Sequence, residues 1–194
     1  MAALAAVSAC GGDAAPDSAP VTTLPIAPTT TSTTVGVDEI PDEITVEYVQ
    51  RVMDALDESW GEMFRQYKAD EGPTVDNHAW LAELYAEPAY GQMEDLLGEI
   101  AGDEFDGIRE EPSDPVTEVL QVVSATPECI FVSDQRDYGG IFSSGYEVSP
   151  GYLQLVPAPT QVSIRNPTAW RVSREVTAEG RTVEEVIDPC GDES

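Results

Sequence analysis

Basic side chains are scarce in this chain. Its 194 residues include one His, one Lys and eight Arg against 37 Asp and Glu, which gives a formal net charge of -28 and a pI near 4.1. Phosphate binding needs clustered Lys and Arg that displace counterions, so this composition excludes nucleic acid as a partner. The same charge disfavours electrostatic docking on anionic lipid.

The usual metal ligands and catalytic motifs are also few. A single histidine, His78, and three cysteines exclude most zinc sites and every Ser/His or Cys/His pair that does not use His78. The chain has no P-loop, G-x-G-x-x-G, G-x-S-x-G or H-E-x-x-H motif. No apolar run reaches the roughly 18 residues that a membrane-spanning helix needs. We therefore predict no catalytic residue, no metal site and no cofactor.

The N-terminus contains a short motif that suggests where in the cell the protein is located. Val7-Ser8-Ala9-Cys10 resembles the bacterial lipobox, in which the cysteine thiol is diacylated and the peptide bond before it is cut. The resemblance implies a residual signal peptide at 1–9, lipidation of Cys10 and anchoring on the outer face of the cell membrane. No Lys or Arg precedes Cys10, although a signal peptide has a basic start, so we expect the true start codon to lie upstream. The plain alternative is a chance cysteine in a small-residue N-terminus.

Residues 10–37 have the composition of a tether. Ala, Pro, Thr and Ser dominate, with six Thr and Ser in succession at 29–34. Such a segment buries too little apolar area to offset the entropy of ordering, so we expect it to be disordered. Its Thr and Ser content fits either O-glycosylation or a plain linker. We assign the folded domain to residues 38–194.

Helical periodicity dominates the first half of that domain. Residues 45–69 are predicted to form one amphipathic helix capped by Thr45, with an apolar stripe that we expect to face the core: Val49, Val52, Met53, Leu56, Trp60, Met63, Phe64 and Tyr67. Gly61 inside this helix indicates close approach by another backbone. We predict further helices at 77–86, capped by Asp76 or Asn77, and at 88–101.

Strand-like alternation replaces the helical period after residue 115. Strands are predicted at 116–123, 129–132, 152–156 and 169–176, with a short edge segment at 162–164. In the last strand, alternation puts Trp170, Val172 and Val176 on one face and Arg171, Ser173 and Glu175 on the other. Helices followed by strands predict an α+β domain, with the helices packed on one face of a curved antiparallel sheet.

This order of elements is similar to the NTF2-like (SnoaL-like) cone fold. The Thr-rich tether, the segments Ile44-Thr-Val-Glu-Tyr48-Val49 and Asn166-Pro-Thr-Ala-Trp170, and the late cysteine resemble uncharacterised actinobacterial lipoproteins of that superfamily. The resemblance implies that the first helix lies in the hollow of a bent sheet. It does not choose a function, because the superfamily includes isomerases, dehydratases and many members without chemistry.

Which cysteines are free to form a disulfide depends on whether Cys10 is lipidated. If Cys10 carries lipid, Cys129 and Cys190 are left as a pair outside the cytoplasm, and a bridge would pin the C-terminus to the sheet. The alternative is two free, buried thiols.

Three further features of the sequence are candidate sites. Asp57 flanks the apolar stripe and could face a cone cavity as a general base, but a carboxylate at a helix edge is the commoner explanation. His78 fits a helix start or the surface better than a catalytic role. The acidic stretch from Gly102 to Asp114 fails the EF-hand pattern, because Gly102 and Ser113 fall where carboxylates are required, so a solvated loop is its ordinary interpretation.

These patterns lead to one functional hypothesis and one alternative. We expect a lipid-anchored extracytoplasmic protein with a non-enzymatic role in binding or envelope interaction, whose partner would be a small hydrophobic ligand or a cationic envelope component. The acidic surface fits either a cationic partner or a saline habitat. The alternative is a lyase or isomerase acting on a small hydrophobic molecule. That enzyme would need a buried carboxylate or His beside an apolar cavity of at least about 300 Å³.

Overall fold

The computed structural model describes residues 35–101, 107–143, 148–159, 162–178 and 187–191. Within these ranges, three helices precede an open antiparallel sheet in the order β1-β2-β3-β4, which confirms the α+β prediction. No described helix is both long enough and apolar enough to cross a membrane. The elements are α1 (Val46–Ala69), α2 (Val75–Leu84), α3 (Ala89–Ala101), β1 (Val116–Thr126), β2 (Cys129–Asp137), β3 (Ser149–Pro157) and β4 (Trp170–Thr177).

Helix α1 forms where the periodicity predicts it. The Thr45 hydroxyl accepts a hydrogen bond from the Tyr48 amide at 3.2 Å and so caps the first turn. All eight residues of the predicted apolar stripe are buried. The helix ends where Glu71 and Gly72 adopt positive φ angles of 57° and 144°, and Pro73 follows. Amphipathicity and caps therefore sufficed to locate this helix.

Gly61 marks a crossing point, as predicted. A Cβ atom on this residue would come within 2.8 Å of the Cα atom of Asp114. The backbone that leads into β1 therefore passes directly over α1 at a position where no side chain fits.

The cap of α2 differs from the prediction. Thr74, rather than Asp76 or Asn77, is the capping residue, and its hydroxyl accepts a hydrogen bond from the Asn77 amide. The Asn77 side chain in turn accepts a hydrogen bond from the Thr74 amide at 2.8 Å, which completes a capping box. The helix ends at Leu84, two residues early, because Tyr85 is extended and pairs with Val172 of β4.

The face of the sheet that meets the helices is called the inner face here. Buried side chains from the central strands and β4 join those of α1 in one core on this face: Ile130, Val132, Leu153, Leu155, Trp170 and Val172. On the opposite face, Phe131 and Tyr152 stack with their ring centroids 5.7 Å apart.

A bulge in β4 overturns part of the predicted alternation. Leu155 pairs with Val172 and Gln154 with Arg174, so Ser173 is an extra residue on β4. Glu175 then pairs with Leu153 and shares the inner face with Trp170, whereas Val176 moves to the outer face. A bulge resets the period of two, and nothing in the alternation of apolar residues indicates where this happens.

The predicted edge segment at 162–164 is not a strand. Val162 and Ile164 are exposed, and Ser163 organises a turn in which its hydroxyl accepts hydrogen bonds from the Arg165 and Asn166 amides. Part of the free edge of β4 is met instead by the α2–α3 connection, where the Ala86 amide donates to the Val172 carbonyl at 2.8 Å.

The two short segments that carry the family resemblance meet in the core. The indole Nε1 of Trp170 donates a hydrogen bond to the hydroxyl of Tyr48 at 2.7 Å. The Asn166 side chain accepts from the Thr168 amide and donates to the Trp170 carbonyl, both at 2.9 Å. Both segments therefore have a structural role in joining the start of α1 to the start of β4.

A disulfide closes the C-terminal end onto the sheet. The sulfur atoms of Cys129 and Cys190 lie 1.98 Å apart, across 61 residues of sequence. Beside them, an Asp188 carboxylate oxygen accepts hydrogen bonds from the Cys190 amide at 2.8 Å and from the Ser124 hydroxyl at 2.9 Å. This segment is thereby fixed to the β1–β2 hairpin.

We predict that the double substitution Cys129→Ser/Cys190→Ser lowers the free energy of unfolding by about 4 kcal/mol, because the bridge restricts a loop of this length in the unfolded chain. Urea denaturation of the oxidised protein and the variant measures the difference. Cys10→Ser is the matched control and should leave stability unchanged. Equal stability of wild type and double variant would contradict a structural role for the bridge.

Candidate functional site

The inner face of β2 changes from apolar to charged along its length. Ile130 and Val132 are followed, at the strand's period of two, by Asp134 and Arg136. Only 3% of the Asp134 side chain and 11% of the Arg136 side chain are exposed. Because ions buried without partners cost many kcal/mol, these two groups need compensating contacts.

Arg136 lies at the centre of those contacts. Its Nε donates to Asp134 Oδ2 at 2.9 Å, and its Nη1 donates to the Tyr138 hydroxyl at 2.8 Å. The same Nη1 lies 2.5 Å from Glu175 Oε1, a contact that exists because the β4 bulge turns Glu175 inward. Burial opposes the charge on Arg136, but Glu175, Tyr138 and Asp134 outweigh it and raise the pKa of the guanidinium. We call Asp134, Arg136, Tyr138 and Glu175 the buried ion cluster.

Asp134, one of the two carboxylates in contact with Arg136, is only partly satisfied. Burial raises its pKa to about 6, and the nearby charge of Arg136 only partly offsets this effect. Its second oxygen, Oδ1, is buried without a hydrogen-bond partner among the described residues, and so is Nη2 of Arg136. One acceptor and one donor of the buried ion cluster are therefore left without a partner in the part of the chain that the structure describes.

Asp57, the candidate general base, lies beside this cluster, but its hydrogen bonds are made with the edge strand β1. Its two carboxylate oxygens accept hydrogen bonds from the Thr117 amide at 2.7 Å and the Thr117 hydroxyl at 3.1 Å. Two helical turns earlier on α1, the side-chain amide of Gln50 contacts the same strand. Its nitrogen donates a hydrogen bond to the Thr117 carbonyl, and its oxygen accepts one from the Val119 backbone amide. Burial raises the pKa of Asp57 to about 7, against the opposing effect of Arg136.

The cavity next to Asp57 is small. It has a volume of about 20 Å³, and its walls are Met53, Leu56, Asp57, Trp60, Leu84, Tyr85, Arg136, Tyr138, Val172 and Glu175. That volume accommodates about one water molecule. It is far below the roughly 300 Å³ that a ligand pocket of the predicted enzyme type requires. The interior beside the candidate base is therefore filled by the protein's own side chains.

A larger cleft lies against the same ion cluster. It has a volume of about 230 Å³ and shares Arg136, Tyr138 and Glu175 with the small cavity. Asp134, Gly151 and Thr177 contribute to it from the sheet, and Gln92 from α3. The buried ion cluster therefore has a filled interior side and an open side.

The other candidate residues do not join this cluster. His78 lies on α2, with Nδ1 3.5 Å from a Glu94 carboxylate oxygen and 43% of its side chain exposed, as expected for a surface histidine. Cys10 and residues 102–106 of the acidic stretch lie outside the described residues. Within the part of the chain that the structure describes, no three His, Cys, Asp or Glu side chains are arranged to hold a metal ion.

Sequence reasoning found Asp57 but missed Asp134, Arg136 and Glu175. The alternation Ile130, Val132, Asp134, Arg136 was a usable signal for the first two, because it continues the apolar face into charged residues. Glu175 carried no such signal, since its orientation depends on the bulge.

We predict that Asp57→Asn flattens the pH dependence of stability. With a folded-state pKa near 7 and an unfolded value near 3.8, folded Asp57 holds a proton that the unfolded chain releases, so stability falls as pH rises between these values. The wild type should lose about 3 kcal/mol more unfolding free energy than the variant between about pH 4 and pH 8. Urea titrations across this range measure it. Parallel curves for the two proteins would contradict the assignment.

We predict that Arg136→Met lowers the free energy of unfolding by about 3–5 kcal/mol, because Asp134 and Glu175 then remain buried without their counterion. Arg174→Met, on the exposed side of the same sheet, is the control and should change stability by about 0.5 kcal/mol or less. Combining Arg136→Met with Asp134→Asn and Glu175→Gln should recover part of the loss. Chemical denaturation gives all three values, and a loss as small as that of the control would contradict the central role of Arg136.

Comparisons with protein-family models, with characterised proteins and with solved structures found no significant match to this chain.

Proposed function

We propose that this protein is a lipid-anchored extracytoplasmic protein whose NTF2-like domain has a non-enzymatic role in binding or envelope interaction. The lipobox-like sequence at Cys10 and the composition of residues 10–37 support the anchor and the tether. The disulfide bond between Cys129 and Cys190 supports the extracytoplasmic location, because structural disulfides persist mainly in oxidising compartments.

The cone-like arrangement is part of this proposal. Three helices precede the strands, and α1 lies against β1 through the hydrogen bonds of Gln50 and Asp57. The bulges within β1 and β4 favour the curvature that an NTF2-like sheet has.

The filled interior carries the non-enzymatic part of the proposal. A cavity of about 20 Å³ leaves no room for a small hydrophobic substrate beside Asp57, the candidate general base. Both Asp57 oxygens are also engaged by Thr117. Under these conditions the carboxylate stabilises the α1–β1 contact.

A lyase or isomerase remains the alternative, and one observation favours it. A pKa of about 7 would suit Asp57 as a general base at neutral pH. A bound small hydrophobic molecule that contacts Asp57 in a structure of the protein would favour this alternative over the binding role.

The surface favours a cationic envelope partner. A groove of about 650 Å³ beside α1 combines Glu58 and Glu62 with Trp80 and Ile164, and Ile164 is 94% exposed. Arg65 and Arg165 also line the groove, and both are paired: Arg65 with Glu62 and Asp114, each at 2.8 Å, and Arg165 with Asp76 at 3.2 Å and Glu83 at 3.3 Å. The groove itself therefore has balanced charge, and the case for a cationic partner comes from the protein as a whole. The net charge of -28 attracts positively charged molecules to the protein as a whole.

We predict that native protein extracted from its own membranes begins at Cys10 and carries a diacylglycerol group. Its intact mass should also be two protons lighter than that of the reduced chain, because of the Cys129–Cys190 bond. Cys10→Ser should release the protein from the membrane fraction without breaking this bond. An unmodified chain that begins at Met1 would contradict the anchor and the extracytoplasmic location together.

A further inference from the structure

We infer that the cleft over Gly151, on the open side of the buried ion cluster, is a binding site for a small primary ammonium compound. This inference deepens the binding role proposed above by naming a class of ligand. It rests on the shape of the cleft, on the charge of its wall and on one unpartnered acceptor.

A glycine forms part of the cleft wall. Gly151 pairs with Asp134 on one side and with Thr177 on the other, so it occupies an inner-face position where the neighbouring strands carry side chains. A Cβ atom at this position would lie 3.3 Å from Asp134 Oδ1 and 3.0 Å from the Val176 carbonyl oxygen. Both distances are tighter than ordinary van der Waals contacts, so only glycine fits in this part of the cleft wall beside the Asp134 carboxylate.

An unpartnered oxygen lies beside this glycine, on a residue that lines the cleft. Asp134 Oδ1 is buried and accepts no hydrogen bond from the described residues, although the other oxygen of the same carboxylate accepts one from Arg136 at 2.9 Å. A buried carboxylate oxygen without a donor is uncommon in folded proteins, and a ligand donor would satisfy it. An ammonium group has three donors and no acceptor, which matches this need.

The charge of the wall selects a cation. Asp134 and Glu175 contribute two negative charges and Arg136 contributes one positive charge, so the wall has one negative charge in excess. Asp57 lies behind Arg136 and Glu175, beside the small cavity, and adds to the negative side when it is ionised. Carboxylate-containing ligands would meet this excess charge and be repelled.

The volume selects a small molecule. About 230 Å³ equals the space of seven or eight water molecules at about 30 Å³ each. Drug-sized ligands occupy pockets of about 300–1,000 Å³. An amine with a short carbon chain fits, with the chain toward Gln92 and Pro150, which also line the cleft.

Butylammonium chloride is a suitable probe, titrated into the full-length chain by isothermal calorimetry at constant ionic strength. We expect saturable binding at one site. Butyrate and 1-butanol have the same carbon chain without the positive charge, and they should bind at least about tenfold more weakly, since each lacks the charge-assisted hydrogen bond. The constant ionic strength keeps the screening of charges equal in all titrations, and the site variants below separate binding in the cleft from nonspecific attraction of the cation to the acidic surface.

Two variants with matched controls locate the site. Gly151→Ala places a methyl group against Asp134 Oδ1, and Asp134→Asn removes the charge while keeping the shape; each should weaken butylammonium binding at least about tenfold. Gly98→Ala adds a Cβ atom that meets nothing within 4 Å, and Glu118→Gln neutralises an exposed carboxylate on β1. Both controls should bind within about twofold of wild type.

Circular dichroism and thermal unfolding establish that each variant is folded before it is titrated. If Asp134→Asn does not fold, Gly151→Ala decides the question alone. The inference is overturned if butylammonium does not bind, if 1-butanol binds equally well, or if Gly151→Ala binds like Gly98→Ala. None of these results affects the membrane anchor, which the intact mass tests separately.

Discussion

The pairing of Arg136 with Asp134 and Glu175 is the interaction on which the arrangement of this domain depends. It joins β2 to β4 across β3 through side chains that are largely buried, so each charge is tolerated only because the others are present. The β4 bulge is needed for it, because without the extra residue Glu175 would lie on the outer face. The register of β4 against β3 therefore determines whether the buried charge of Arg136 is neutralised by Glu175.

The second constraint is the protection of the sheet edge by α1. β1 is an edge strand, and its free backbone groups would offer a template for another chain. Gln50 and Asp57 hydrogen-bond those groups at Thr117 and Val119, while the apolar stripe of the same helix packs on the core. The raised pKa of Asp57 is thus a consequence of its place between helix and sheet, and an elevated pKa in this fold does not by itself identify a catalytic base.

The buried ion cluster separates two spaces of different character. On the side of α1, large side chains leave room for about one water molecule, whereas on the side of α3 a cleft of about 230 Å³ lies beside Gly151. A binding role is consistent with this asymmetry, because the accessible side presents acceptors and charge, and the candidate base is on the inaccessible side. The disulfide acts elsewhere, where it holds the C-terminal segment to the β1–β2 hairpin.

The sequence by itself determined the helices, the order of the elements, the apolar stripe of α1 and the close approach at Gly61, because these follow from local periodicity, caps and the space that a glycine leaves. It also contained the charged end of β2, which continues the inner-face period. Only the tertiary structure decided three other properties. These are the face of the sheet on which Glu175 lies, the hydrogen-bond donors that contact Asp57, and the places where side chains leave no cavity in the interior. The physical reason is that these properties depend on contacts between residues far apart in the chain, such as Asp57 with Thr117 and Arg136 with Glu175, and a bulge shifts them without changing the local pattern.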